Sequence, residues 1–383
     1  MTVALGVAVA LVVGVSACSD NSTATDPDAV TTTTSPTAAL RLNDLQYVGS
    51  HNSYHIAPEP RLLDKIKAIA EKVPDVAKGL GDPATLDYTH APLETQLDRG
   101  IRTFELDIYA DPVGGTFATP KGPGILGVDN PKLPTGMDQP GIKVFHIVDI
   151  DEITTCEPFK ACLETLKKWS DAHPRHLPLM ISLELENSGL PKPFDLTTVT
   201  PWGATELDGL DTELRDTLGS KLLTPDDVRG SAKDLSTAVT TTGWPSIDSV
   251  RGKMMFFLDS SGPSIDAYLA GHDSLKGRVA FTTEGFDRPD GALFIVNDPT
   301  SPKIAQNVKQ GYIVRTRADA DLDVAAPAEP AQREAAMKSG AQIVHSDFPA
   351  GEPAPSGYTA ALPGALQARC NPVTAPKGCT LSE

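Results

Sequence analysis

Four stretches of this chain set metal-ligating and proton-handling side chains into apolar surroundings. They are Gly49-Ser50-His51-Asn52-Ser53-Tyr54-His55, Thr103-Phe104-Glu105-Leu106-Asp107-Ile108, Phe145-His146-Ile147 and Ile181-Ser182-Leu183-Glu184-Leu185-Glu186. In the second, an extended backbone puts Phe104, Leu106 and Ile108 on one face and Glu105 and Asp107 on the other. In the fourth, Leu183 and Leu185 alternate with Ser182, Glu184 and Glu186. The same alternation sets His146 opposite Phe145 and Ile147. Carboxylate and amide oxygens are the donors preferred by hard cations such as Ca2+ or Mg2+. Asn52, Glu105, Asp107 and Glu184 therefore read as a ligand set. Without a cation, such clustered acids repel one another or share protons. His51 and His146 remain to move protons or to steady a developing anion.

Each stretch alone has an ordinary reading: a solvated strand edge, a satisfied core histidine, a turn after a strand. Their alignment at successive strand ends is what argues for a site. The other histidines, His55, His90, His173, His176, His272 and His345, lack such context and read as surface or loop residues.

The elements that must position these groups follow from the apolar pattern. Eight runs read as strands: Leu45–Gly49, Ile101–Tyr109, Lys143–Val148, Leu177–Leu185, Lys253–Leu258, Ala292–Asn297, Tyr312–Arg317 and Ala341–His345. A ninth, Arg278–Thr283, competes with them. Helix-like spacing marks Arg61–Lys72, Pro92–Arg99, Cys162–Ala172 and Ala331–Ser339. Asp111–Gly141 is rich in Gly and Pro and reads as one long irregular loop. Eight strands alternating with helices and loops predict an α/β fold, an irregular (β/α)8 TIM barrel with long loops on its top face. In that fold the inward carboxylates lie near the strand C-termini, where the chemistry sits.

The order Ser-His-Asn-Ser-Tyr, Gly-Ile-Arg-Thr-Phe-Glu-Leu-Asp, Phe-His and Ile-Ser-Leu-Glu resembles the catalytic domain of the calcium-dependent, phosphatidylinositol-specific phospholipases C, above all the secreted bacterial type. Val314-Arg315-Thr316-Arg317-Ala318-Asp319 and Ile343-Val344-His345-Ser346-Asp347 resemble the wider phosphodiesterase superfamily more loosely. The resemblance implies catalytic His51 and His146, the metal ligands Asn52, Glu105, Asp107 and Glu184, bound Ca2+, and Arg315 near an inositol ring. It implies a phospholipid substrate at a membrane surface, cleaved to diacylglycerol and a cyclic or opened inositol phosphate, with Glu105 or Glu184 taking the hydroxyl proton. Eukaryotic members that favour phosphorylated inositols carry lysines on the fifth strand. By alignment Phe257 and Asp259 stand there instead, so Asp259 is expected to accept from free inositol hydroxyls. Two alternatives are a glycerophosphodiester phosphodiesterase or sphingomyelinase D-like enzyme, and a non-catalytic lipid-binding lipoprotein. The first group usually opens with His-Arg-Gly, which this chain lacks. The second usually loses a ligand or a histidine, and here every position is filled.

Composition bounds the partners. A net charge of −17 over 383 residues argues against nucleic acid, whose affinity comes from Lys and Arg neutralising phosphates. It also argues against simple adsorption to anionic lipid. No protein partner is evident. Residues 1–17 read as a signal peptide, with an uncharged apolar run Val3–Val15 ending in a lipobox-like Val15-Ser16-Ala17-Cys18. Lipidation at Cys18, or plain secretion, would make the protein extracytoplasmic. Residues 18–40, rich in Thr, Ser, Asp and Pro, read as a disordered tether. Residues 41–350 form the expected barrel and 351–383 a Pro-rich, disulfide-held tail. Four further cysteines leave three possible connectivities; two small loops, Cys156–Cys162 and Cys370–Cys379, are expected.

Overall fold

The computed structural model describes residues 39–72, 82–156, 158–190, 196–320 and 330–381. The apolar leader, Cys18 and nearly all of the expected tether lie outside the described residues.

Among the described residues, ten strands form two five-stranded sheets. They are β1 (Leu45–Ser50), β2 (Thr103–Tyr109), β3 (Lys143–Val144), β4 (Leu179–Leu185), β5 (Met254–Asp259), β6 (Phe281–Thr282), β7 (Leu293–Ile295), β8 (Ile313–Arg317), β9 (Ile343–Ser346) and β10 (Arg369–Cys370). One sheet runs β10-β1-β9-β8-β7 and the other β3-β2-β4-β5-β6. Eight of these strands pair in parallel, as two arcs, β1-β9-β8-β7 and β2-β4-β5-β6. β3 and β10 add to them antiparallel. The observed fold is thus α/β with mixed sheets.

The expected Lys143–Val148 strand is shorter than its apolar run. Beyond Val144 the chain turns back, with His146 and Ile147 N–H groups both donating to the Asp151 carbonyl (3.2 and 3.1 Å). Asp149 at the turn has a positive φ of 68°. His146 therefore sits on a turn, and strand alternation does not place it. The ninth run supplies the eighth parallel strand instead, as β6.

The four expected helices form at Pro60–Ala70, Leu93–Asp98, Phe159–Ala172 and Pro330–Lys338. The first starts on a proline, and the Glu59 side chain accepts from Leu62 N–H (3.2 Å). Gly100, with φ of 94°, follows the second in the left-handed region a helix stop uses. Ala204–Leu218 is a long helix absent from the expected set. Its Leu207, Leu210, Leu214 and Leu218 make a buried stripe at helical spacing.

The loop from Asp111 to Gly141 holds one short helix, Gly122–Ile125. Asp111 organises it: one oxygen accepts from Gly114 N–H and the Thr116 hydroxyl, and the carboxylate faces the buried Lys143 ammonium at 3.4 Å. Lys143 also donates to the Gly141 carbonyl (2.9 Å), tying the loop's end to its start. Past residue 350 the chain stays on the body. Phe348, Ala354 and Tyr358 pack with Tyr88, and β10 pairs with Leu45 and Gln46 of β1. The Cys370–Cys379 disulfide closes the last turn, and Cys156 and Cys162 lie together with their Cα atoms 5.4 Å apart.

The two arcs meet where β1 lies against β2. A Cβ built on Gly49 would fall 1.9 Å from Thr103 Oγ1 and 2.1 Å from its carbonyl oxygen, so only glycine lets the strands approach. Gly49→Ala is expected to destabilise the fold by about 3 kcal/mol, the upper end of ordinary overpacking costs. Urea denaturation of the two proteins measures this; an unchanged midpoint would show that the contact relaxes freely.

Candidate active site

The acidic cluster follows from register. Asp107 on β2 pairs with Glu184 on β4, and Glu184 with Asp259 on β5. Residues paired across parallel strands share a face, so these three side chains form a row. Glu105 lies two residues earlier on the same face of β2, paired with Ser182. Glu105, Glu184 and Asp259 each bring an oxygen within 4.8 Å of the others. Burial and the neighbouring acids push Asp107 and Glu184 well above the usual carboxylate range. Burial lifts Asp259 to about 6 and Glu186 to about 7.

Glu105 behaves in the opposite way. Burial alone would raise it, but the Arg315 guanidinium on β8, together with His51 and His345, outweighs that and holds it well below the usual range. The two groups pair at 2.5 Å with both side chains almost fully buried. Arg315 also donates to Asn297 Oδ1 (2.6 Å) and to His345 Nδ1 (3.1 Å).

The donor set fits a hard cation. Glu105 Oε1 and Asn52 Oδ1 are buried acceptors with no hydrogen-bond partner among the described residues. Asn52 reaches its place by adopting a positive φ of 43°, a conformation asparagine tolerates better than most residues. Asn52, Glu105, Asp107 and Glu184 could hold the metal, as the sequence suggested. Asp259, expected as a hydroxyl acceptor, belongs spatially to the same acid group.

Each of the two histidines is held through Nδ1 by a carboxylate, half-buried Asp347 for His51 and buried Asp151 for His146. His51 follows β1, and its Nδ1 lies 2.6 Å from Asp347 Oδ1. That leaves Nε2 pointing inward, 3.7 Å from Glu105. Burial and Arg317 lower His51 from its ordinary value, against the opposing pull of Glu105 and Asp347. Asp347 would be raised by burial, but Arg317 and His51 hold it far below the usual range. His146 Nδ1 lies 2.9 Å from Asp151 Oδ2, and the Tyr109 hydroxyl donates to the His146 carbonyl (2.8 Å). Burial likewise works against ionised Asp151, yet His55 and His146 bring it down to about 2. Both rings border one cavity of about 470 Å3, also lined by Asn52, Asp107, Glu184 and Arg317.

Several histidines read as peripheral are interior. His55 is fully buried against Asp151 and the Tyr88 carbonyl. His90 bridges Glu352 and the His51 carbonyl (2.8 Å). His345 contacts Glu105 and Arg315, and burial pushes it down to about 4. His176 is buried with Ser170. Only His173 and His272 stay at the surface or partly exposed. Each buried ring has a partner distant in sequence or across a turn, which local context does not reveal. Arg315 is 1 % exposed and committed to protein partners, so the arginine bordering the cavity is Arg317. Asp347, Asp151, Asn297, Arg317 and Glu186 were not singled out as site residues. Asp347 and Arg317 stand inside motifs already noted, and Asp151 lies five residues past His146.

The family described as phosphoinositide phospholipase C, Ca2+-dependent, matches residues 40–372. No curated protein sequence matches the chain. Among solved structures, the fold is similar to a Ca2+-dependent phosphatidylinositol-specific phospholipase C from Streptomyces antibioticus. That pair shares 19 % identity over 81 % of this chain and 95 % of the other, with a TM-score of 0.53. It is also similar to a calcium-dependent phosphoinositol-specific phospholipase C from a Pseudomonas species. There the identity is 16 % over 88 % of this chain and 97 % of the other, with a TM-score of 0.52. With the family match spanning nearly all of the described chain around a hard-cation donor set and two carboxylate-braced histidines, this protein belongs to the Ca2+-dependent phosphoinositide phospholipases C.

Proposed function

We propose that the enzyme cleaves phosphatidylinositol at a membrane surface to diacylglycerol and a cyclic inositol phosphate, using His51 and His146. The observation that carries this reading is two histidines, each tied by Nδ1 to an aspartate, bordering one cavity beside a row of strand-end acids. The two four-stranded arcs, in contact at Gly49 and Thr103 and linked by the Arg315–Glu105 pair, support a closed (β/α)8 barrel.

Asn52, Glu105, Asp107, Glu184 and Asp259 would hold the calcium. Bound there, it supplies positive charge for the reacting phosphodiester and acidifies the attacking hydroxyl. A carboxylate of the cluster takes the proton of that inositol hydroxyl. The hydroxyl oxygen then forms its bond to phosphorus. His51, its Nδ1 committed to Asp347, offers Nε2 to the charge growing on the phosphoryl group. His146 gives its Nε2 proton to the departing diacylglycerol oxygen, and its Nδ1 stays on Asp151. Arg317 borders the same cavity and adds a fixed positive charge near His51.

We also propose that the protein is exported and anchored through a lipidated Cys18. The leader-like residues before Cys18 and the Cys370–Cys379 disulfide support an oxidising, extracytoplasmic setting.

Three outcomes are expected. His51→Ala and His146→Ala each lose at least ~10²-fold in turnover while remaining folded, and excess chelator abolishes wild-type activity. Product assays on phosphatidylinositol vesicles decide this; a fully active chelated enzyme would sink the calcium reading. Phosphatidylinositol should be cleaved faster than its 4,5-bisphosphate. The acid row and the buried Phe257 on β5 offer no cation to extra phosphates, and like charges repel. Equal rates in the same mixed micelles would refute that preference. Finally, intact-mass spectrometry of protein from the membrane fraction should show a diacylated Cys18 at the N-terminus; an unmodified cysteine removes the anchor.

A further inference from the structure

Asp151, the carboxylate that holds His146, is itself held from behind. Its Oδ2 accepts from His146 Nδ1 at 2.9 Å and lies 2.7 Å from Nε2 of His55. The His55 and Asp151 side chains are wholly buried. The two rings meet edge to face, centroids 5.6 Å apart and planes at 88°. His55 also stacks on Tyr88 with centroids 4.2 Å apart. Its Nδ1 lies 3.0 Å from the Tyr88 carbonyl oxygen, which can only accept. Nδ1 therefore carries a hydrogen. A hydrogen bond from Nε2 to an ionised carboxylate requires a second one, so the ring donates from both nitrogens. Asp151 Oδ1 has no partner among the described residues, so Oδ2 and its two imidazoles fix the carboxylate's orientation.

We propose that His55 is a positioning residue for the reaction: by donating to Asp151 it fixes the carboxylate that holds the His146 Nδ1–H, so that only the Nε2 proton is delivered to the leaving oxygen. This rests on the reading of His146 as the general acid. In the step, the phosphorus–oxygen bond to diacylglycerol breaks with its electron pair going to oxygen. The His146 Nε2 proton passes to that oxygen, and the ring is left neutral with Nδ1–H still on Asp151. The protons between His55 and Asp151 do not move. Without His55, Asp151 keeps one of its two donors and is free to turn. His146 can then present the wrong nitrogen, the penalty seen when a histidine's orienting carboxylate is disabled. Fixing the tautomer from outside the reacting groups is how orienting carboxylates act on histidine generally.

The test compares two substrates. Phosphatidylinositol has a poor leaving group that needs a proton; a p-nitrophenyl ester of inositol phosphate has one that leaves unprotonated. For His55→Phe, kcat on phosphatidylinositol is expected to fall about 10- to 100-fold, a part of the ~10²–10⁴ that a general acid contributes, with KM little changed. On the p-nitrophenyl ester the same variant should stay near wild type. His55→Gln, whose amide can still donate to Asp151, should recover most of the lost rate. Wild-type kcat on phosphatidylinositol in His55→Phe, or equal losses on both substrates, overturns the proposal. His146→Ala is the reference: it must lose far more on phosphatidylinositol than on the activated ester. Equal losses there would reject His146 as the acid and the proposal with it. A normal His146→Ala pattern beside an indifferent His55→Phe rejects the proposal alone. If His55→Phe does not fold, His55→Asn, whose amide is too short to keep the contact with Asp151, replaces it in the same comparison, with the same expected and overturning results.

Discussion

Burying several carboxylates together at the ends of neighbouring strands is the constraint on which the site depends. Glu105, Asp107, Glu184 and Asp259 are brought together by the in-register parallel pairing of β2, β4 and β5. Unpaired negative charge is costly in such an interior, and burial with mutual repulsion raises the acids beside Glu105. Arg315 relieves part of it from the opposite arc. A buried pair of this kind is costly to break, about 3–5 kcal/mol when one partner is lost, so it also ties β8 to β2. The remaining charge is what a calcium ion would neutralise. The metal requirement and the joining of the two arcs thus have one electrostatic origin.

The two histidines answer a second constraint, that an imidazole facing a cavity needs a fixed orientation. Each ring is held at Nδ1 by an aspartate and borders the cavity. The aspartates come from different places: Asp347 follows β9, the strand paired directly with the one His51 follows, whereas Asp151 lies at the end of the turn that carries His146. Both arrangements continue outward. His90 takes the His51 carbonyl and hands its other nitrogen to Glu352, which also pairs with Arg99 (2.8 Å). His55 stands behind Asp151. Two interior histidines, His55 and His90, thus pack behind the pair at the cavity.

Much of this was legible in the residues. Period-two alternation in Thr103–Ile108 and Ile181–Glu186 exposes the inward acids, because a strand with one apolar face leaves polar groups nowhere else to point. Amphipathic spacing located four helices to within a few residues. The helix Ala204–Leu218 is less legible although its leucine stripe is present, since charged residues interrupt every apolar step. The Lys143–Val148 run misled, because a buried turn is as apolar as a buried strand and only hydrogen bonding separates them.

The sequence by itself determined which side chains share a face of β2 and of β4, and that their oxygen donors would call for a hard cation. These are local properties, set by backbone period and side-chain chemistry over a few residues. Tertiary structure alone decided who partners whom. It committed Arg315 to Glu105 rather than to the cavity, and it brought Arg317 to the rim. It drew Asp259 into the acid group, and it turned His55, His90 and His345 from apparent surface residues into buried braces. Those pairings join residues up to hundreds of positions apart, and chain folding, not local pattern, sets the distances on which hydrogen bonds and Coulomb energies depend.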